Sequence, residues 1–197
     1  MVLVHDSGIP TAASLRQRLK TETAAVHRAV ERLYEQLDVS EEEGLRVFLI
    51  AHAAALAAIE PRLQHPDAAS AAQLLDCIRR DLAALGAGPP QPAALDAARA
   101  DPVGLTYVMA GSRLGVSVLA RRVMGSACDR VRAATSYLGS PFQDPLWPRV
   151  RQRLDLMESV GARADQAVAG AMEGFACFER GFWMSQEHAL DGGRRHF

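Results

Sequence analysis

The sequence predicts an all-α protein, a multi-helical bundle in one domain spanning residues 1–197. Three observations predict it. Hydrophobic residues make up 49% of the chain, alanine is the most used, and aromatics are only 6%, a composition that favours helix over strand. Apolar residues recur at spacings of three, four and seven in segment after segment. No segment alternates apolar and polar residues with the period of two that a half-buried strand needs.

Ser14 is placed to cap a first helix, in which Leu15, Leu19, Val26, Val30, Leu33 and Leu37 form one apolar stripe. "DVSEEEG" ends that helix. Ser40 and the acids Glu41, Glu42 and Glu43 start a second, with negative charge at its positive end. This second helix, "GLRVFLIAHAAALAAIE", is apolar nearly all round and is expected at the centre. A third covers about Asp67 to Leu85, and the Pro/Gly run Gly86–Pro92 is a loop. A short helix is expected after it. Pro102 suits the first turn of a long helix reaching about Gly125. Further helices are expected over Cys128–Leu138, Val150–Met157 and Ala162–Met184, about seven in all. Residues 1–13 and 186–197 are expected to be loose.

A net charge of -1 argues against a nucleic-acid surface. No apolar run was expected to reach the roughly 20 residues of a membrane span, and "MVLVHDSGIP" lacks the features of a signal peptide. A cytoplasmic monomer with no nucleic-acid or membrane partner is the expectation. Cys77, Cys128 and Cys177, odd in number and well separated, read as small apolar residues.

Two features carry chemistry. Lys20, Thr23, His27 and Glu31 are spaced three, four and four apart, so they share a polar stripe beside the apolar one. There His27 sits at the edge of the core. Glu31, one turn on, can orient its ring, as acids behind metal-bound histidines do. Lys20 lies two turns earlier, about 10 Å along the axis. An ordinary i,i+4 surface pair remains the alternative. The second feature is "YVMAGSRLGVSVLARR", where Gly111 and Gly115 interrupt a helical segment. Each glycine costs a helix roughly 0.5–1 kcal/mol relative to alanine. Either another helix or a flat ligand must approach the bare backbone there, and the Gly-Ser pair is a place for a bend.

Three segments together resemble the haem oxygenases, particularly the bacterial ones: "LRQRLKTETAAVHRAVE", "YVMAGSRLGVSVL" and "GAMEGFACFERGF", in the family's order. The resemblance implies haem as cofactor and substrate, and cleavage to biliverdin with release of CO and ferrous iron. It implies O2 and an electron donor, such as a flavoprotein reductase or a ferredoxin, as partners. It makes His27 the iron ligand, Glu31 its orienting acid and Lys20 a propionate cation, with Arg151 as a second. Gly111, Ser112 and Gly115 become the distal segment, where Ser112 would order water. Tyr107, Phe175 and Phe178 are expected near the haem, as is Thr23. The chain departs from the family at Val116, where many members have a second glycine, and at Ser112, where many have aspartate. A haem sensor or carrier without efficient degradation is therefore the alternative, and His52 is the second candidate for the iron. A thiaminase-like enzyme on the same bundle would need a nucleophilic cysteine in the pocket.

Overall fold

The computed structural model describes residues 14–139 and 146–193. Ten α-helices run through them: α1 (Leu15–Glu22), α2 (Ala24–Tyr34), α3 (Glu42–Ile59), α4 (Asp67–Ala84), α5 (Pro102–Ser112), α6 (Val116–Met124), α7 (Asp129–Ala133), α8 (Ser136–Gly139), α9 (Leu146–Asp155) and α10 (Ala162–Gly193). A 3-10 turn, Glu60–Arg62, closes α3. No strand occurs among the described residues, and the fold is all-α.

The count exceeds seven because three expected helices are divided, each for a local reason. The first bends at Thr23. This buried side chain donates its hydroxyl to the Leu19 carbonyl at 2.7 Å, competing with the backbone one turn back. The backbone bonds Thr23 N–H to Leu19 O and His27 N–H to Thr23 O, both 2.9 Å, still pass through the bend. The distal helix breaks into α5 and α6 at Arg113–Gly115, where Ser112 Oγ donates to Met109 O at 2.8 Å. The third break separates α7 from α8. Asp81, buried on α4, accepts the N–H groups of Ser136 and Tyr137 at 2.8 and 2.7 Å and starts a new turn there.

No helix forms between Leu85 and Ala100. That segment is held extended instead, by Ala93 N–H to Ala54 O and by Asp96 N–H to the buried Glu173 carboxylate. At the other end, α10 runs past Met184 to Gly193, so much of the tail expected to be loose is helical. Residues 1–13 and 194–197 lie outside the described residues.

α3 is the central helix, buried over most of its length, with α10 packed along it and α4 beside it. One expectation needs correction here. Glu42–Arg62 is 21 residues with a mean hydropathy of 1.4, long and apolar enough to cross a membrane by composition. The structure buries two-thirds of the window inside the bundle, as a core helix requires. Glycines let α10 come close to its neighbours. A Cβ on Gly104 of α5 would fall on the Ala167 carbonyl, and one on Gly181 on the Ala51 carbonyl of α3.

α9 is moored at both faces. Asp67, buried at the start of α4, accepts from Arg149 at 3.2 Å, from Arg153 at 2.8 Å and from Thr106 Oγ1 at 3.2 Å. Asp155 pairs with Arg16 of α1 at 2.6 Å, and that guanidinium holds the exposed carboxyl below its ordinary pKa.

Candidate functional site

A cavity of about 810 Å³ opens between α1–α2 and α5–α6, with α3, α9 and α10 supplying further wall. That is within the usual range of small-molecule sites. It gathers most of the stripe and the glycine segment read from the sequence: Lys20, Thr23, His27, Glu31, Tyr107, Gly111, Ser112, Gly115, Phe175 and Phe178 all line it. Arg151 does not. It is exposed on α9. Arg16, one turn before Lys20, lines the same cavity. Val116 opens α6, and its side chain lies outside the described set.

His27 is half exposed, at 53% of its side-chain surface. Its Nε2 lies 3.4 Å from Glu31 Oε1, the i,i+4 approach the spacing predicts. The ring tilts over Phe175 with 5.3 Å between centroids. A contact this long between exposed groups contributes little to stability. The contact uses Nε2, and a half-turn about Cβ–Cγ would put a ring carbon near that position.

The glycines divide into two kinds. Gly104, Gly170 and Gly181 are filled against by neighbouring backbone. At Gly115 a Cβ would meet nothing within 4 Å, and at Gly111 only the edge of Trp147, at 4.0 Å. Packing between helices therefore does not account for these two. Their bare side is open to the cavity, and a cradle that side chains would narrow suits a flat ligand resting on main chain.

The two ends of the cavity differ in character. Near α1 stand Arg16 and Lys20, with Tyr107 hydrogen-bonded to Thr23 and tilted against Trp147 at 5.9 Å. Burial raises the Tyr107 phenol pKa, so it stays a neutral donor. Away from that end the wall carries Leu37, Val39, Phe48, Leu114, Val118 and Leu119, with Glu35 and Arg122 among them. Leu114 and Val118 remain more than half exposed, as apolar residues awaiting an occupant would.

His52, on α3, is buried among four aromatic rings. It stacks on Phe48 at 4.2 Å and meets Tyr34, Phe178 and Tyr137 edge-on. Its Nδ1 is 2.8 Å from Tyr137 Oη. Burial pushes its pKa down to about 3, with the Arg113 charge adding to the effect, so the imidazole is neutral. Tyr34 sits beside it with its own hydroxyl given to the Phe178 carbonyl at 2.9 Å. None of the three cysteines lines this cavity, and burial pushes the Cys177 thiol up to about 11, which argues against the thiaminase-like chemistry.

Arg16, Arg28, Tyr34 and Trp147 were missed by sequence reasoning. Arg16 could have been found by extending the Lys20 stripe back one turn. Trp147 stood in a stretch read as a turn-rich connection, and no sequence signal marks it.

Fold and cavity together define an all-helical protein with a large cavity that carries Arg16 and Lys20 at its α1 end. No protein-family model matches the chain. It is similar to the haem oxygenase of Xanthomonas campestris pv. campestris (strain 8004), with 38% identity over 107 residues, 51% of this chain and 62% of that protein. The match thus spans less than two-thirds of the curated relative. Among solved structures it resembles the NO- and CO-bound haem oxygenase from Neisseria meningitidis, with a TM-score of 0.66 and 20% identity over 88% of this chain and 92% of that one. At that identity the likeness is one of fold. The chain has the haem oxygenase fold, and over about half of its length it is similar in sequence to a haem oxygenase.

Proposed function

We propose that the chain binds haem in this cavity and is a haem oxygenase, cleaving haem to biliverdin with release of CO and ferrous iron. It would use O2 and electrons from an external donor, a flavoprotein reductase or a ferredoxin, and act in the cytoplasm as a monomer. The observation that carries the reading is that one cavity joins the half-exposed His27 imidazole to the two glycines that packing does not explain.

The residues present fit a haem. His27 would ligate the iron and Glu31 would hold its ring. Arg16 and Lys20 would meet the propionates at the α1 end, and the apolar wall would cover the rest of the macrocycle. Haem, when bound, supplies the oxidation of its own ring.

The protein's part is binding, orientation and exclusion of water. Backbone at Gly111 and Gly115 can lie against the ligand face and confine a small molecule bound there. Ser112 spends its proton on Met109 O, so its oxygen is left only as an acceptor for an ordered water. The aromatic wall of Phe48, Phe175 and Phe178 keeps bulk water away from the inner end.

The test is a hemin titration of the purified protein, followed by ascorbate or a reductase system in air. A stoichiometric Soret band, lost as biliverdin absorption grows, is the expected result. A flat titration would overturn haem binding. A stable ferrous or oxygenated complex with no bilin would leave the carrier reading in its place. His27→Ala should lose turnover and regain part of it with added imidazole.

A further inference from the structure

Among three hydroxyls and one imidazole on the wall of the cavity, every hydrogen is accounted for except one. Tyr34 donates to Phe178 O, Thr23 to Leu19 O and Ser112 to Met109 O. His52 is the exception, and the chain of contacts behind it says which nitrogen carries its proton. The Arg113 guanidinium lies 4.5 Å over the Tyr137 ring and hydrogen-bonds the Tyr137 carbonyl at 2.8 Å. The Arg113 charge also acts on the Tyr137 phenol, whose pKa burial raises. Asp81 holds the Tyr137 backbone from the other side at 2.7 Å. Tyr137 is fully buried, so its own O–H must find an acceptor, and His52 Nδ1, 2.8 Å away, is the one in reach.

A neutral imidazole that accepts at Nδ1 carries its hydrogen on Nε2. No protein group described here partners that nitrogen, and His52 lines the cavity. The same arrangement removes His52 as an iron ligand, since a protonated Nε2 has no lone pair to give.

We infer that His52 Nε2–H, fixed in tautomer and direction by Tyr137 and Arg113, is the hydrogen-bond donor to the small oxygen-bearing ligand held beside the haem. It acts directly or through one ordered water. The inference rests on the haem reading above. It gives the cavity a hydrogen-bond donor where Ser112, its proton spent, can only accept. Tyr137 and Arg113 act as positioning residues, and neither touches the ligand.

Carbon monoxide on the ferrous haem complex is the probe, read by infrared spectroscopy. A donor to its oxygen lowers the C–O stretch. Three results are expected: a stretch in the wild type that shifts in D2O, a higher-frequency band without that shift in His52→Leu, and a split or broadened band in Tyr137→Phe, whose His52 is free to change tautomer. A normal Soret band in each sample separates this test from haem binding itself; its absence from the wild type would sink the haem reading instead. An unchanged C–O band in His52→Leu would overturn the inference. So would a wild-type ferric spectrum showing two imidazole ligands, one of them lost in that variant. Should His52→Leu fail to fold, the D2O comparison on the wild type decides: no shift refutes the donor.

Discussion

A Cβ placed on Gly111 would stop 4.0 Å from Cζ3 of Trp147, at ordinary contact distance, whereas one on Gly104 of the same helix would collide with the Ala167 carbonyl. Two glycines seven residues apart on α5 therefore answer to different demands, one to packing and one to the cavity. Gly111→Ala should leave the haem-free protein as stable as the wild type or gain about 0.5–1 kcal/mol from helix propensity. Gly104→Ala should lose about 1–3 kcal/mol through overpacking. The order reverses for hemin. Gly111→Ala should bind roughly tenfold more weakly, about 1.4 kcal/mol, because its methyl occupies the cradle. Thermal melts and hemin titrations on the two variants check this. A destabilised Gly111→Ala with unaltered hemin affinity would return that glycine to packing.

The contrast also shows what the sequence could and could not disclose. Both kinds of glycine look alike in a helical segment; only the neighbour's backbone, brought in from α10, tells them apart. The all-α class and the His27–Glu31 approach were legible because they depend on local spacing. The bend at Thr23 was not, since apolar periodicity continues on both sides of it and the hydroxyl's choice of the Leu19 carbonyl leaves no pattern. His52 and Tyr137 meet across 85 residues, and nothing in either segment announces the other. Which arginines Asp67 and Asp155 engage is likewise decided by the packing of α9 against α4 and α1.

The cations at the rim give a second prediction. Lys20 has no acidic partner among the described residues, while Arg16 is shared with Asp155. Lys20→Ala should weaken hemin binding by about 0.5–1 kcal/mol, a twofold to fivefold loss. Added salt should shrink that difference, since screening weakens an exposed pair. Arg151→Ala should bind hemin as the wild type does. Titrations of the three proteins at low and high ionic strength measure both effects. Equal losses in Lys20→Ala and Arg151→Ala would place the propionates elsewhere.

Asp67 makes a structural prediction with a local readout. Its carboxylate is buried and shared by Arg149, Arg153 and Thr106. Both arginines are partly solvated, so screening softens the loss, and Asp67→Asn should cost about 1–3 kcal/mol. Because the two arginines follow Trp147 on α9, the near-ultraviolet circular dichroism of that indole should change with the melting temperature. An unchanged aromatic spectrum would mean that α9 is held by Asp155 and its apolar face alone.

Acid stability should report on His52. Its folded pKa is depressed to about 3, against about 6.5 in the unfolded chain. The unfolded state therefore binds the proton first as pH falls. Stability from this residue is complete above about pH 6.5 and declines until the folded pKa is reached near 3. Between pH 7 and pH 4.5 the decline amounts to about 2–3 kcal/mol. His52→Phe removes that dependence while leaving the Tyr137 hydroxyl without its acceptor, a cost that is the same at every pH. Urea midpoints at the two pH values should thus lie closer together in His52→Phe than in the wild type, even though the variant is weaker at pH 7. Parallel loss in both proteins would mean that the imidazole takes up its proton in the folded state, and the aromatic enclosure around it would have to be more open than four ring contacts describe.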